Sequence, residues 1–223
     1  MMEKGRTIIV GAGGFGRELI SWANDAHVAG RVPPLAGLID DDSAAMNGFA
    51  YSVGLLGSIA DFVPQSRDQL LMAIGTPRIK DRVAALLGAR GGRFTTLIHP
   101  TAVVAGSAIL GYGVILCPLS LVSADVHVGE LVSVNVLTSI GHDVSVGRYS
   151  TLSAHVDLTG GVRVEEAVMI GTGAKLLPRV KVGAGATIGA GSVVYRSVPA
   201  GRSVFAAPAK TLRQAQPPEI AAR

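Results

Sequence analysis

Residues 122–152 read VSADVHVGELVSVNVLTSIGHDVSVGRYSTL, and every sixth residue from the first, Val122, Val128, Val134, Ile140, Val146 and Leu152, is aliphatic. Extended in both directions, the same frame runs without a slip from Ile98 to Val194, 17 positions in all. Two residues ahead of each later member, from Ala102 to Ser192, stands only Ala, Ser, Thr or Val. Residues two apart point to the same side of a strand, so each small residue and the aliphatic one after it face inward. The residues between successive pairs form corners, where Gly, Pro and polar side chains fit. Glycines directly after the aliphatic position (Gly111, Gly129, Gly141, Gly147, Gly171, Gly183 and Gly189) are read as supplying the sharp bend. Three hexapeptides close one triangular coil, so the frame yields between five and six coils, whose stacking buries one aliphatic column. A long amphipathic helix is excluded, because it needs apolar residues at spacings of three and four.

The rest of the chain bounds the function. At 223 residues it holds one large domain or two modest ones. Hydrophobic residues are 48% of the chain but aromatics only 4%, a composition for tightly stacked strands rather than an aromatic-packed sandwich. The net charge of +4 is scattered, with no Lys/Arg run and no basic stripe interleaved with aromatics, so no nucleic-acid partner is expected. A mild positive balance suits phosphate-bearing ligands. The one cysteine, Cys117, has no intramolecular partner, which is compatible with a reducing compartment. No charged leader with a cleavage site and no apolar run of bilayer-spanning length is found, so the expectation is a cytoplasmic protein without a membrane partner. No metal site is expected.

Ahead of the repeat, residues 6–10 form a β-branched run followed by Gly11-Ala12-Gly13-Gly14-Phe15-Gly16. Residues 17–28 have helical periodicity, with Leu19, Ile20, Trp22 and Ala23 on the inner face. A second strand at 35–39 ends in Asp40-Asp41-Asp42, a third at 70–74 ends at Gly75, and 77–88 reads as a helix opened by a proline. Alternating strands and helices predict a parallel sheet. The GxGxxG turn between strand and helix lets bare backbone N–H groups approach a phosphate. Asp40, at the end of the second strand, is placed to accept hydrogen bonds from a ribose. The segment has room for about half a doubly wound dinucleotide domain, so the ligand expected is nucleotide-bearing but not NAD. The plainer alternative is that the glycines only close a tight turn.

Within the repeat frame His142 falls on a corner, two residues after inward Ile140, and projects from the coil beside Asp143, a carboxylate able to fix its tautomer. One coil on in the same column stands Gly160, expected to leave open space above the ring for a thioester. His99 and His127 carry no neighbouring pattern and are read as ordinary histidines. His155 shares a column with Leu119 and Leu137, read as the edge of a packing surface between subunits. Leu131 is expected on that surface too. Cys117 lies away from the His142 column and is not expected to relay the acyl group.

The glycine-rich turn, Asp40-Asp41, Ala73-Ile74-Gly75, Ile98-His99-Pro100, Asn135, Gly141-His142-Asp143 and the tail 198–201 through 207–210 occur in order over about residues 6–213. Together they resemble the bacterial sialic-acid O-acetyltransferase type of hexapeptide-repeat acyltransferases, whose close relatives N-acetylate nucleotide-linked amino sugars. The resemblance implies a small Rossmann-like α/β domain (1–97) that binds the nucleotide sugar, a left-handed parallel β-helix (98–198) and a C-terminal tail (199–223) that contacts coenzyme A. It implies His142 as catalytic base with Asp143 modulating it, and a nucleotide sugar held by Gly13, Gly14, Phe15, Asp40, Asp41 and Gly75, with Asn135 near the sugar. Acetyl-CoA, the cosubstrate, is implied between neighbouring subunits of a homotrimer, against Gly160, Thr172, Ala190 and the tail at Pro208 and Lys210. Thr151, in place of a histidine that touches the cofactor in some relatives, is included with them.

Phe15 replaces a histidine near the sugar in some relatives, and the tail reads Phe205-Ala206-Ala207-Pro208 where a glycine usually precedes the proline region. The expected reaction is direct transfer in a ternary complex to a nucleotide-linked 4-amino-4,6-dideoxyhexose, with backbone N–H groups near Gly160 stabilising the oxyanion. The alternatives are O-acetylation of a sugar, and a β-helix that only binds or scaffolds.

Overall fold

The computed structural model describes residues 5–207. The α/β part consists of β1 (Arg6–Val10), α1 (Gly14–Val28), β2 (Leu35–Ile39), β3 (Leu55–Gly57), β4 (Asp68–Met72), α2 (Pro77–Ala89) and β5 (Arg93–Phe94). Its strands pair in parallel in the order β3-β2-β1-β4-β5. Alternation along the strands divides the core between the two faces. Ile9, Leu38 and Leu71 pack with Leu19, Ile20 and Ala23 of α1, while Ile8, Val10, Leu70 and Met72 pack with Val83, Ala84 and Leu87 of α2. β4 starts earlier than the apolar run predicts, because Asp68 is buried there against Arg6, at 2.8 Å from its Nε. The short edge strands β3 and β5 are too brief to show a period in the sequence.

From Leu97 the chain winds into a parallel β-solenoid of two-residue strands. The second residue of each, from Ile98 to Val194, is a member of the aliphatic frame. Strands three repeats apart pair in register, Ser139 with Asp157 and Ile140 with Leu158 for example. Three flat sheets result. The first holds strands such as Ser133–Val134 and Thr151–Leu152, the second Ser139–Ile140, and the third Ser145–Val146. The column from Val114 to Val198 is one continuous aliphatic core. After Val194 the frame shortens: Val198 bridges to Val182 and Ser203 pairs with Thr187, partners closer in sequence than those of a full coil.

The bends are made differently from the sequence expectation. Positive φ recurs once per hexapeptide, from Gly113 to Gly191, two positions beyond the glycines credited with bending. Several of these positions carry side chains, including Leu119, Leu137, Asp143 and Arg179. The glycines directly after the aliphatic position serve another need. A Cβ at Gly129 would lie 2.6 Å from the Arg148 nitrogen, and one at Gly171 2.6 Å from that of Ala190. Neighbouring coils approach too closely there for any side chain.

The α/β part covers the first sheet. Leu97, Ile115 and Cys117 point outward from it into the α1 core, and Leu131 and Tyr149 pack with the α2 core. Leu131 is therefore buried, not part of an exposed column, whereas Leu119 and Leu137 are 58% and 46% exposed. Among the described residues no helix is long and apolar enough to cross a membrane.

Candidate active site

His142 and Asp143 occupy the corner between the second and third sheets. Asp143 has φ 60°, which turns its carboxylate back towards the preceding ring. Nδ1 of His142 lies 2.6 Å from Oδ2 of Asp143. An ionised carboxylate only accepts, so Nδ1 carries the proton and donates it, leaving the Nε2 lone pair to accept another. Both side chains are exposed, 69% and 65%. The ring folds forward over the next coil: a Cβ on Gly160 would stand 2.6 Å from its Cε1 and Nε2. The space above Gly160 is thus filled by the imidazole, which corrects the expectation that it stands open for the thioester. The Gly161 N–H is taken by the His142 carbonyl at 2.9 Å.

Beside the pair is a hollow of about 340 Å³ lined by Asp143, Gly161, Arg163, Arg179 and Lys181. Arg163 and Lys181 are cross-strand partners in the third sheet. Three cations at the mouth of a histidine site suit phosphates or another polyanion. Sequence reasoning missed them, although Arg163 and Lys181 hold the same place in successive coils, a signal that they stack.

The α/β part holds a second constellation at the C-terminal ends of its strands. Gly11 takes φ +102° and closes the turn, and a Cβ on Gly16 would collide with the Gly11 carbonyl, so that glycine permits α1 to pack on β1. Gly13 and Gly14 are exposed, with nothing within 4 Å of a would-be Cβ. α1 starts there with no side-chain cap and no acidic residue in its first turn. An open helix N-terminus of this kind is suited to an anion. Asp40 accepts from the Ala12 N–H at 2.6 Å and the Asp42 N–H at 2.9 Å, so it braces the turn in addition to any ligand contact. Asp41 accepts from the Ala60 N–H at 2.9 Å. Phe15 lies half-buried, edge-on to Trp22 at 6.3 Å.

Gly75 ties this constellation to the solenoid, its carbonyl accepting from the Thr151 hydroxyl at 2.7 Å. The same hydroxyl accepts from Nζ of Lys80 at 3.0 Å, and Lys80 also donates to the Ser133 hydroxyl at 3.0 Å and the Ser150 carbonyl at 3.2 Å. Thr151 is buried in this network, engaged between the two parts of the chain rather than facing a groove. Lys80 shows no exposure, and burial pulls its pKa down from the ordinary 10.5 to about 7. Its signal in the sequence was a lysine on the apolar stripe of α2, in line with Val83, Ala84 and Leu87. His99 makes a second tie, with Nε2 3.2 Å from Asp25 of α1 and Nδ1 2.8 Å from the Thr101 hydroxyl. Cys117 is fully buried, and burial raises its thiol well above the usual range.

Asn135, Thr172 and Ala190 lie on a third location, the corner between the first and second sheets, shared with Leu119, Leu137 and His155. Thr172 and Ala190 are exposed, and Asn135 is half-buried with its Oδ1 accepting from the Val136 N–H at 2.7 Å. The chain therefore brings His142, Asp143 and Gly160 together, but the width of the second sheet separates them from Asn135, Thr172 and Ala190. Pro208 and Lys210 lie outside the described residues. Among the described residues no group of three or more His, Cys, Asp or Glu could hold a metal ion.

Comparison with known proteins finds similar chains among sugar acetyltransferases. A family model described as bacterial transferase hexapeptide (six repeats) matches residues 161–196. The chain is 33% identical over 113 residues to UDP-N-acetylbacillosamine N-acetyltransferase of Bacillus subtilis (strain 168), a match covering 48% of this chain and 49% of that protein. It thus spans about half the length of the curated relative it matches. The acetyltransferase domain of PglB from Neisseria gonorrhoeae FA1090, in complex with acetyl coenzyme A, superposes with a TM-score of 0.82 at 28% identity, over 94% of this chain and all of that one. PerB from Caulobacter crescentus, in complex with CoA and GDP-perosamine, superposes with a TM-score of 0.80 at 30% identity, over 92% of this chain and 96% of that one.

Proposed function

The chain belongs to the hexapeptide-repeat acetyltransferase family, and we propose that it transfers the acetyl group of acetyl-CoA to the amine of a nucleotide-linked amino sugar. The observation that carries this reading is the exposed imidazole seated on Gly160, with Nδ1 held by Asp143 and Nε2 left to accept a proton. The sugar amine attacks the thioester carbonyl carbon, an N–C bond forms, and Nε2 of His142 takes the proton from the nitrogen. Collapse of the tetrahedral intermediate breaks the C–S bond and releases coenzyme A, protonated from the same ring. Backbone N–H groups near Gly160 supply the oxyanion donors in this reading, the Gly161 N–H being already engaged by the His142 carbonyl. Arg163, Arg179 and Lys181 meet the phosphates of coenzyme A.

The nucleotide sugar is held by the Rossmann-like α/β part at Gly13, Gly14, Asp40, Asp41 and Gly75. In one chain this site lies against the first sheet, a sheet's width from His142. A homotrimer of left-handed β-helices, joined through the exposed corner of Leu119 and Leu137, supplies the missing half from a neighbour. The relatives support the substrate class: one is named for UDP-N-acetylbacillosamine and one is bound to CoA and GDP-perosamine. Coenzyme A release, followed with UDP- and GDP-linked 4-amino sugars beside hydroxyl acceptors such as sialic acid, tests the reading. Turnover confined to amines is expected, and turnover confined to hydroxyls contradicts it.

A further inference from the structure

The chain contains five Phe, four Tyr and one Trp, yet Phe49 and Tyr51 sit together in the open, 49% and 41% exposed. Their ring centroids are 6.1 Å apart, with planes inclined by 33°. Both lie on the loop between β2 and β3, which Asp40 and Asp42 anchor at its start by accepting the Asp42 and Ala44 N–H groups, each at 2.9 Å. Ala45, Met46 and Val53 of the same loop pack on the α1 core. The loop that carries the rings is therefore anchored on both sides of them. Arg17, in the first turn of α1, joins them to the glycine turn. Its guanidinium carbon is 4.1 Å from the Phe49 centroid, and its Nη1 donates to the Ala12 carbonyl at 3.3 Å.

Position gives this pair a ligand. In an open parallel sheet the ligand lies outside the carboxyl ends of the strands, with its phosphates on the turn after the first strand and its nucleoside reaching over the end of the next one. Here that path runs from Gly13 and Gly14 past Asp40 to the loop of Phe49 and Tyr51. Two half-exposed rings and a planar guanidinium are the chemistry that stacks on a planar heterocycle, whatever its hydrogen-bonding edge.

We propose that Phe49, Tyr51 and Arg17 form the stacking platform for the base of the nucleotide-linked sugar. This assignment rests on the nucleotide-sugar reading above. It locates the base on the β2–β3 loop and makes base affinity separable from phosphate affinity. Phe49→Ala and the double variant Phe49→Ala/Tyr51→Ala remove the rings but leave the glycine turn and His142 intact.

The test is calorimetric titration of the full chain with UDP, GDP and inorganic pyrophosphate. The expected result is tighter binding of at least one nucleotide than of pyrophosphate by the wild type. In the double variant that nucleotide's affinity falls by about 10-fold or more, with pyrophosphate and coenzyme A affinities unchanged. Phe49→Trp, which restores a ring face, recovers most of the loss. Nucleotide affinity equal in the double variant and the wild type overturns the platform and leaves the nucleotide-sugar reading standing. A wild type that binds neither nucleotide overturns both. A variant that loses pyrophosphate affinity in the same proportion makes the rings a support for the turn and likewise overturns the proposal.

Discussion

The imidazole of His142 owes its place to the missing side chain of Gly160. In Gly160→Ala the new Cβ would stand 2.6 Å from Cε1 and Nε2, so the ring must swing away and strain its bond to Asp143. Displacement of a reacting group by about 1 Å can cost roughly 100-fold in rate. We therefore expect kcat to fall by at least about 10-fold. Circular dichroism and the thermal midpoint should stay close to wild type, since the corner lies outside the aliphatic column. An unchanged kcat would mean that the ring position does not matter. Asp143→Asn should cost less than loss of the imidazole, because Asp143 orients the ring and takes no proton. The sequence places His142 on the corner and beside Asp143 by counting alone. It does not reveal that the ring lies over Gly160, which depends on a side-chain rotamer and the reversed φ of Asp143.

Among the coils and strands, the hexapeptide frame is legible because each inward position meets the same environment, the coil above and the coil below. What the frame does not distinguish is the reason for each glycine. Those after the aliphatic residue make room for the next coil, while the reversed bend beyond them also carries Leu, Asp and Arg. Gly129→Ala should consequently destabilise the solenoid by about 1–3 kcal/mol, the usual cost of overpacking, and lower the thermal midpoint. A wild-type midpoint would show that the coils can separate at no cost.

The junction of α2 with the first sheet carries a pH dependence. Lys80 titrates near 7 in the folded chain and near 10.5 when unfolded, so between those values the unfolded state binds more protons. Stability from this group is therefore present in full above about 10.5 and is lost as pH falls towards 7. Urea midpoints at pH 7, 8 and 9 should rise for the wild type relative to Lys80→Met, whose side chain cannot ionise. Parallel midpoints would show that the buried amine does not change its charge in this range.

For the whole molecule, the decisive fact is that one chain places His142 at the corner between the second and third sheets and the candidate nucleotide half-site in the α/β part that covers the first sheet. The proposed trimer rests on that separation together with the exposed Leu119 and Leu137. Light scattering should return three times the chain mass at micromolar concentration, and a stable monomer would require the site to be rebuilt within one chain. Mixed trimers refolded from His142→Ala chains and chains altered at Gly13 and Gly14 should regain activity that neither parent has, because some interfaces then combine two intact halves. The packing of the two parts against each other is the least legible feature. Sequence reading assigns Lys80 no role and sets Thr151 with the cofactor and Leu131 on an exposed surface, because nothing in the repeat tells that the first sheet is covered.

The proposed reaction depends above all on His142 removing the proton from the acceptor nitrogen. The measurement that bears on it is the kcat for coenzyme A release by His142→Asn with saturating acetyl-CoA and nucleotide-linked amino sugar. The variant should be compared with a wild type of the same oligomeric state and coenzyme A affinity. A fall of about 10²–10⁴-fold is expected, the usual contribution of a positioned general base. A folded variant of unchanged assembly that keeps nearly full kcat would contradict the assignment.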